Sequence, residues 1–172
     1  MALNREELRE LIEEKNLVSG YPHLETQLGS NGFDVTVDEI HRYPGPGKLD
    51  FSNDEREIPE TVPIEPEKKS EEDEYCWWSL EPGAYKIVMN ERVDIPNDLV
   101  GLAFPRSSLL RMGATINNGV WDSGYTGRGE FMLTVENPEG IEIKENARVN
   151  QIVFFHMDEV EQGYDGRYHE GE

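Results

Sequence analysis

From Trp77 to its end, the chain consists of short apolar segments separated by turn residues, and this pattern limits the possible folds more than any other feature. The segments are too short for ordinary globular helices, and they are rich in the β-branched and aromatic residues that strands favour. The predicted strands cover residues 85–89, 93–96, 99–104, 131–135, 141–143 and 151–155. Many short strands at close turn spacing are typical of an all-β sandwich or barrel, and we expect such a fold here.

The N-terminal part of the chain adds a short helix and one more strand. Asn4 is followed by acidic residues and then by apolar residues at helical spacing, which predicts a capped amphipathic helix over residues 4–16. Over residues 33–37, apolar side chains alternate with Asp34 and Thr36, which is the period of a half-buried strand.

A long polar segment lies between these two parts. Residues 44–75 are poor in apolar groups and rich in Pro, Glu and Lys. We interpret them as an acidic excursion that carries short edge strands. They are not a domain boundary, because neither flank can bury a core alone. The predicted organisation is one domain over residues 1–172, with the N-terminal helix within 1–20 and a C-terminal tail at 159–172.

The charge of the chain limits its partners. Its 16 Lys and Arg residues stand against 36 Asp and Glu residues, which gives a formal net charge of -20. A field of this sign repels phosphate backbones, so we expect no nucleic-acid partner. Acid-rich, Lys-poor surfaces also suit proteins that work in concentrated salt, and a salt-rich source is a hypothesis that the composition raises.

The sequence also favours a protein of the cytoplasm. It contains no run of about 18 apolar residues that could span a membrane. Its first residues lack the basic and apolar regions of a signal peptide, and the single Cys76 allows no internal disulfide. We therefore expect a cytoplasmic protein without membrane contact.

The first of three clusters with chemical potential follows the predicted strand that ends at Pro105. Arg106, Ser107 and Ser108 come next, followed by apolar residues at helical spacing and by Arg111. Hydroxyls and free backbone N–H groups at a helix start bind anions, and Arg adds a bidentate charge. A serine N-cap beside surface arginines is the alternative interpretation.

The second cluster contains a carboxylate between two tight turns. The pairs Asn118-Gly119 and Ser123-Gly124 favour turns, Asp122 lies between them, and Tyr125 follows three residues after Asp122. Asp122 could be a general base beside a stacking ring. An Asx turn followed by a core tyrosine would produce the same pattern.

The third cluster is in the tail, at residues 164–169. Tyr164 and Arg167 flank a glycine and could close over a planar ligand or a phosphate, although a frayed terminus has similar composition. Other sites are not indicated. The four histidines lack the spacing of zinc ligands, and the nucleophile-elbow, P-loop and dinucleotide-binding motifs are absent.

Taken in order, these clusters resemble the dUTPase and dCTP deaminase superfamily, specifically its archaeal dUTPase-like branch. The resemblance covers Leu17 to Tyr168, and four motifs carry it: residues 31–35, residues 105–109 with Arg111, residues 119–127 and residues 146–154. It implies a distorted jelly-roll or β-clip barrel of the dUTPase type. It also implies a homotrimer with active sites at the subunit interfaces and a nucleoside triphosphate substrate.

The resemblance also implies roles for individual residues. In dUTPases, which cleave dUTP to dUMP and pyrophosphate, Asp122 matches the base that activates the attacking water, and Tyr125 matches the ring that packs on the deoxyribose. Arg106, Ser107, Ser108 and Gln151 match residues that contact the triphosphate. Further expected substrate contacts are Arg111, Asn118, Gly119, Tyr164 and Arg167. Mg²⁺ would be carried by the triphosphate, with Asp34 as a candidate for a contact through water.

The third motif bears on which of the two chemistries of the superfamily applies. In the deaminases a catalytic Glu lies ten residues after the motif Asp, a position that here is Met132, or Thr134 if the strand is shifted by two. Neither can carry a proton, so the resemblance favours a dUTP hydrolase. Glu130 and Glu136 share a face of that strand with them, which leaves a dCTP deaminase or a bifunctional enzyme as the alternative. A non-enzymatic nucleotide binder is a third interpretation.

Overall fold

The computed structural model describes residues 1–168, and its regular elements are mostly strands. His169 and the rest of the predicted tail up to Glu172 lie outside the described residues. The helices are α1 Arg5–Lys15, α2 Leu24–Gln27 and α3 Ser107–Arg111. The strands are β1 Val18–Ser19, β2 Phe33–Arg42, β3 Val62–Pro63, β4 Trp77–Leu80, β5 Gly83–Asp94, β6 Leu99–Pro105, β7 Ala114–Asn117, β8 Thr126–Val135, β9 Ile141–Lys144 and β10 Arg148–His156. The prediction of a mostly β fold with a short N-terminal helix is confirmed.

The main sheet curls so that its two ends approach each other. Its strand order is β6-β10-β2-β5-β8-β7, with antiparallel neighbours, while β1 and β3 pair with β5 and β2. Beyond the edge strand β7, Trp121 forms an antiparallel bridge with Gly101 of the opposite edge strand, β6. A β-carbon on Gly101 would lie 2.9 Å from that of Trp121, so this close approach requires glycine. The sheet is therefore barrel-like and nearly closed.

The core fills the interior of this barrel through the period of two along each strand. Every second residue is buried throughout β8 and over residues 87–93 of β5, as the strand pattern requires. At the N-terminus, Asn4 and Glu7 form a reciprocal capping box, which fixes the start of α1 so that Leu8 and Ile12 face the core. The helix predicted over residues 4–16 is confirmed, and it packs its apolar stripe against the sheet.

One strand prediction is wrong in a way that matters for the site. The sequence predicts two separate strands over residues 85–89 and 93–96. In the structure both belong to the single strand β5, whose pairing with β8 shifts register between Val88 and Arg92. Glu91 keeps the period of two shared by Ile87, Met89 and Val93, so its side chain points into the interior, where it is fully buried.

The excursion at residues 44–75 carries short paired segments, as predicted. Within it, β3 pairs with the C-terminal end of β2, Lys48 bridges to Glu57, and Glu67 bridges to Trp77.

None of the helices within residues 1–168 is long and apolar enough to cross a membrane.

Candidate active site

Three of the predicted site residues, Asp34, Arg106 and Gln151, meet at the first part of β2. One Asp34 carboxylate oxygen, Oδ2, lies 3.0 Å from Arg106 Nε, and Gln151 Nε2 donates to the other at 3.1 Å. Arg148 Nη1 also reaches Oδ2, at 3.2 Å. The Asp34 side chain is only 8% exposed, so these contacts fix it in one orientation. We call Asp34, Arg106, Arg148 and Gln151 the Asp34 cluster.

The Asp34 cluster keeps an excess of positive charge. It combines two guanidinium groups with one carboxylate, and Arg148 is held further by donating to the Thr26 carbonyl at 2.6 Å. Partly buried arginines with spare N–H donors suit the planar recognition of phosphate oxygens. The cluster can therefore bind an anion more strongly than the acidic surface around it.

The predicted serines lie next to this cluster. Arg106 occupies the N-cap position of α3 without a side-chain cap bond, so the interpretation of a serine as the N-cap is wrong. Ser107 and Ser108 instead form the first turn of the helix, and their exposed hydroxyls are available as donors. Arg111 is exposed at the other end of the same short helix.

Asp122 lies in a loop that is fixed to β6 and β10. We call residues 118–125 the Asp122 loop. Asn118 donates to the Ala103 carbonyl at 3.2 Å and accepts from Asn150 at 2.7 Å, so both ends of its amide are engaged internally. Further along, the Ser123 hydroxyl donates to the Leu99 carbonyl at 2.6 Å. The loop is therefore rigid on both sides of Asp122, whereas the Asp122 carboxylate itself is exposed.

Two tyrosines pack beside Asp122. The Tyr125 ring contacts Trp121 edge-on at 5.8 Å and Tyr164 edge-on at 5.5 Å between centroids. Tyr164 is held there by donating its backbone N–H to the Ser123 carbonyl at 2.8 Å. Gly124, with a φ of +79°, permits this approach of the tail, because a β-carbon there would lie 2.8 Å from Gly163. The start of the tail is thus docked on the loop.

The environment of Tyr125 keeps its phenol neutral. Burial raises the pKa of Tyr125, and the neighbouring Tyr164 and the Glu130 carboxylate raise it further. A neutral aromatic ring that is partly exposed to solvent suits packing against a sugar or base. Of the other predicted contacts, Gly119 is exposed within the loop and Arg167 is exposed in the tail.

The structure does not bring Asp122 and the Asp34 cluster together within one protomer. Trp121 lies opposite Gly101 near the start of β6, whereas Arg106 follows its last residue. Five residues of strand separate the two places, which is about 16 Å between Cα atoms. The Asp122 loop and the Asp34 cluster therefore lie at opposite ends of β6.

The glutamates of the alternative chemistry lie on the outer face of β8, as the period predicts. Glu130 is exposed and paired with Lys86, its Oε1 lying 2.7 Å from Lys86 Nζ. Glu136 is exposed at the end of the strand. Of these two glutamates, it is Glu130 whose charge helps to raise the pKa of Tyr125.

Some residues of the site were missed by the sequence prediction. Arg148 belongs to a recognised motif but was not expected as a site residue. Glu91, Thr36 and Gln27 form a buried polar group beneath Asp34, and single polar residues inside strands carry no pattern that reveals such a partnership.

Comparisons with known proteins place the chain among nucleotide enzymes. A family model described as dCTP deaminase-like matches residues 2–157. A probable deoxyuridine 5'-triphosphate nucleotidohydrolase of Methanococcoides burtonii is 44% identical over 168 residues, which cover 96% of this chain and 95% of the relative. The deoxyuridine 5'-triphosphate nucleotidohydrolase of Methanocaldococcus jannaschii is 41% identical over 144 residues, which cover 84% of this chain and 88% of that relative.

A solved structure supports the fold. The 2'-deoxycytidine 5'-triphosphate deaminase of Agrobacterium tumefaciens superposes with a TM-score of 0.63 at 21% identity. The superposition covers 91% of this chain and 48% of the deaminase chain, so this chain matches about half the length of that protein.

Proposed function

Since the chain belongs to the dCTP deaminase-like family, we propose that it is a dUTP diphosphatase, which hydrolyses dUTP to dUMP and pyrophosphate. The observation that carries the proposal is an exposed carboxylate, Asp122, held beside Tyr125 in a loop that Asn118 and Ser123 anchor on both sides. It occurs in a chain that is 44% identical, over nearly its whole length, to a relative named for this activity.

Asp122 would act on the attacking water. Its carboxylate accepts a proton from that water while the water oxygen bonds to the α-phosphorus, and the bond from this phosphorus to the bridging oxygen breaks. The bridging oxygen leaves with the pyrophosphate, so dUTP and water give dUMP and pyrophosphate. The neutral ring of Tyr125 packs on the deoxyribose and excludes a 2′-hydroxyl.

The Asp34 cluster would hold the triphosphate. Arg106 and Gln151 donate to phosphate oxygens together with the hydroxyls of Ser107 and Ser108, and Arg111 adds charge at the edge. Cations are needed here because the substrate carries about four negative charges into a protein of net charge -20.

Contacts to the base would come from backbone groups around Gly119, because the side chain of Asn118 is engaged internally. Tyr164, already docked on Tyr125, and Arg167 would cover the bound nucleotide from the tail.

Mg²⁺ is the expected cofactor, and the residues present fit an ion that arrives with the substrate. The Asp34 carboxylate accepts three contacts, and a carboxylate has about four lone-pair sites, so one stays available for a metal-bound water. Mg²⁺ commonly keeps several waters and binds through substrate phosphates. When bound, it would neutralise charge on the leaving pyrophosphate.

We propose a homotrimer in which each active site joins two half-sites: the Asp122 loop of one protomer and the Asp34 cluster of another. Large apolar side chains are exposed on β6, at α3, in the Asp122 loop and on β8: Leu102, Phe104, Leu110, Met112, Val120 and Met132. Exposed apolar residues on adjacent elements are typical of a surface that another chain covers. Assembly through this surface would bring Asp122 of one protomer to the Asp34 cluster of a neighbour.

A dCTP deaminase activity is the second candidate, favoured by one observation. The Glu130 carboxylate is exposed on β8, the strand that follows Tyr125, and its charge helps to raise the pKa of the Tyr125 phenol. Its ion pair with Lys86, in which Oε1 lies 2.7 Å from Nζ, already engages one carboxylate oxygen, and this argues against the second candidate.

The proposal is tested by supplying dUTP, dCTP and dTTP separately with Mg²⁺ and measuring pyrophosphate and ammonia. We expect pyrophosphate from dUTP and no ammonia from dCTP. Ammonia from dCTP that disappears in the Glu130→Gln variant would establish the second candidate instead. If none of the three nucleotides yields either product, both enzymatic proposals are wrong.

Replacing Asp34 by Asn is expected to raise the KM for dUTP by about tenfold, with a smaller effect on kcat. The amide keeps the shape but loses the charge that orients Arg106 and Arg148, so the two guanidinium groups no longer converge on the phosphates. Steady-state kinetics measure this, with Asp38→Asn as the control, since Asp38 pairs with Arg128 away from the cluster. An unchanged KM would contradict the orienting role.

A further inference from the structure

The first part of β2, which carries Asp34, is held to β5 by the side chains of Glu91 and Asn90 in place of a backbone ladder. The pairing of β2 with β5 begins only at Val37 and continues to Arg42. Residues 33–36 pair with β10 on the other side. At Thr36 the backbone N–H donates to Glu91 Oε2 at 3.0 Å, where a strand neighbour would normally offer a carbonyl.

Glu91 is fully buried and accepts two further hydrogen bonds. The Thr36 hydroxyl donates to Oε1 at 2.7 Å, and Gln27 Nε2 donates to the same oxygen at 2.6 Å. Burial raises the pKa of the Glu91 carboxyl, against the opposing effect of these three donors. Keeping a carboxyl here costs stability, which a chain tolerates most readily when the group has a specific task.

The bonds of Glu91 lead directly to the Asp34 cluster. Gln27 Nε2 donates to the Asp34 carbonyl at 2.9 Å as well as to Glu91. The preceding residue, Thr26, offers its carbonyl to Arg148. Two residues of α2 thus join the buried carboxylate to both the backbone of Asp34 and one of the guanidinium groups that its side chain orients.

We propose that Glu91 is a positioning residue for triphosphate binding: through Thr36 and Gln27 it sets the place of the Asp34 segment, and so the convergence of Arg106, Arg148 and Gln151. This rests on the proposed function for the identity of the ligand. Glu91, for which the sequence predicted no role, would thus control how tightly the phosphates are bound. It would do so without acting on the Asp122 loop.

The test compares Glu91→Gln with Val93→Ala, a buried control on the same strand that lies outside the network. Binding of inorganic pyrophosphate and of dUMP is measured by calorimetry, together with the melting temperature of each variant. For Glu91→Gln we expect pyrophosphate affinity to fall by about tenfold. Its dUMP affinity is expected to stay unchanged, because Asp122 and Tyr125 are anchored elsewhere. Val93→Ala is expected to lower the melting temperature and leave both affinities unchanged.

A softer variant guards against loss of folding. Thr36→Val keeps the shape and the backbone bond to Glu91 but removes the hydroxyl, which donates to Glu91 and accepts from Asn90 Nδ2 at 2.9 Å. It should weaken pyrophosphate binding in the same direction to a smaller extent. If both variants melt earlier yet bind pyrophosphate as the wild type does, Glu91 is only structural and the proposal is overturned. Because pyrophosphate binding needs no turnover, a protein that failed to hydrolyse dUTP would refute the proposed function and leave this test intact.

Discussion

Replacing Asp122 by Asn is expected to lower kcat for dUTP by at least about 100-fold, the usual scale for loss of a general base. The amide has nearly the same shape as the carboxylate but cannot take a proton from water. The loop that carries it is fixed by Asn118 and Ser123, so the substitution should not move Tyr125 or the backbone around Gly119. Binding of a non-hydrolysable dUTP analogue should therefore stay close to that of the wild type.

The matched control for this prediction is Asp94→Asn. Asp94 is an exposed carboxylate beside the Asp122 loop, where it accepts a hydrogen bond from the Thr126 hydroxyl at 2.7 Å, a bond that an amide oxygen also accepts. Single-turnover kinetics should show normal hydrolysis for this control. Full turnover in Asp122→Asn would remove the base from the mechanism, and equal losses in both variants would point to a general charge effect.

Much of the fold follows from local patterns. The capping box at Asn4, the period of two in β8 and the turn at Ser123-Gly124 are all local, and each of them appears in the structure. The turn predicted at Asn118-Gly119 is absent, because the Asn118 side chain bonds to β6 and β10 instead. The error at β5 is equally instructive. Glu91 is a charged residue inside a strand, and its burial is favourable only because Thr36 and Gln27, which are distant in sequence, donate to its carboxylate.

The site was harder to predict than the strands. The motifs named Arg106, Gln151 and Asp122, but contacts between residues more than 100 positions apart, such as Asp34 with Arg148 and Gln151, depend on the pairing of β2 with β10. The pairing itself has no local signature. The distance between the two half-sites likewise follows from the length of β6. The order of the motifs along the sequence does not reveal that distance.

That distance leads to the second large effect, which concerns Arg106. Arg106→Ala removes a guanidinium from the Asp34 cluster and should reduce turnover by about 100-fold on its own. If each active site takes Asp122 from one protomer and Arg106 from another, mixing the inactive Arg106→Ala and Asp122→Asn variants creates some intact sites. In random mixed trimers from equal amounts, about a quarter of the sites receive both intact residues. We therefore expect recovery to about a quarter of wild-type activity after joint unfolding and refolding, or after co-expression.

A second mixture separates shared sites from sites within one protomer. Wild-type chains mixed equally with the doubly substituted chain, Arg106→Ala and Asp122→Asn together, should retain about a quarter of full activity if sites are shared, and about half if each protomer is complete. Native mass spectrometry establishes that mixed trimers have formed. Mixed trimers without recovery in the first experiment, and with half activity in the second, would mean that the two half-sites never meet across an interface. The exposed side chains of Leu102 and Phe104 would then require another explanation.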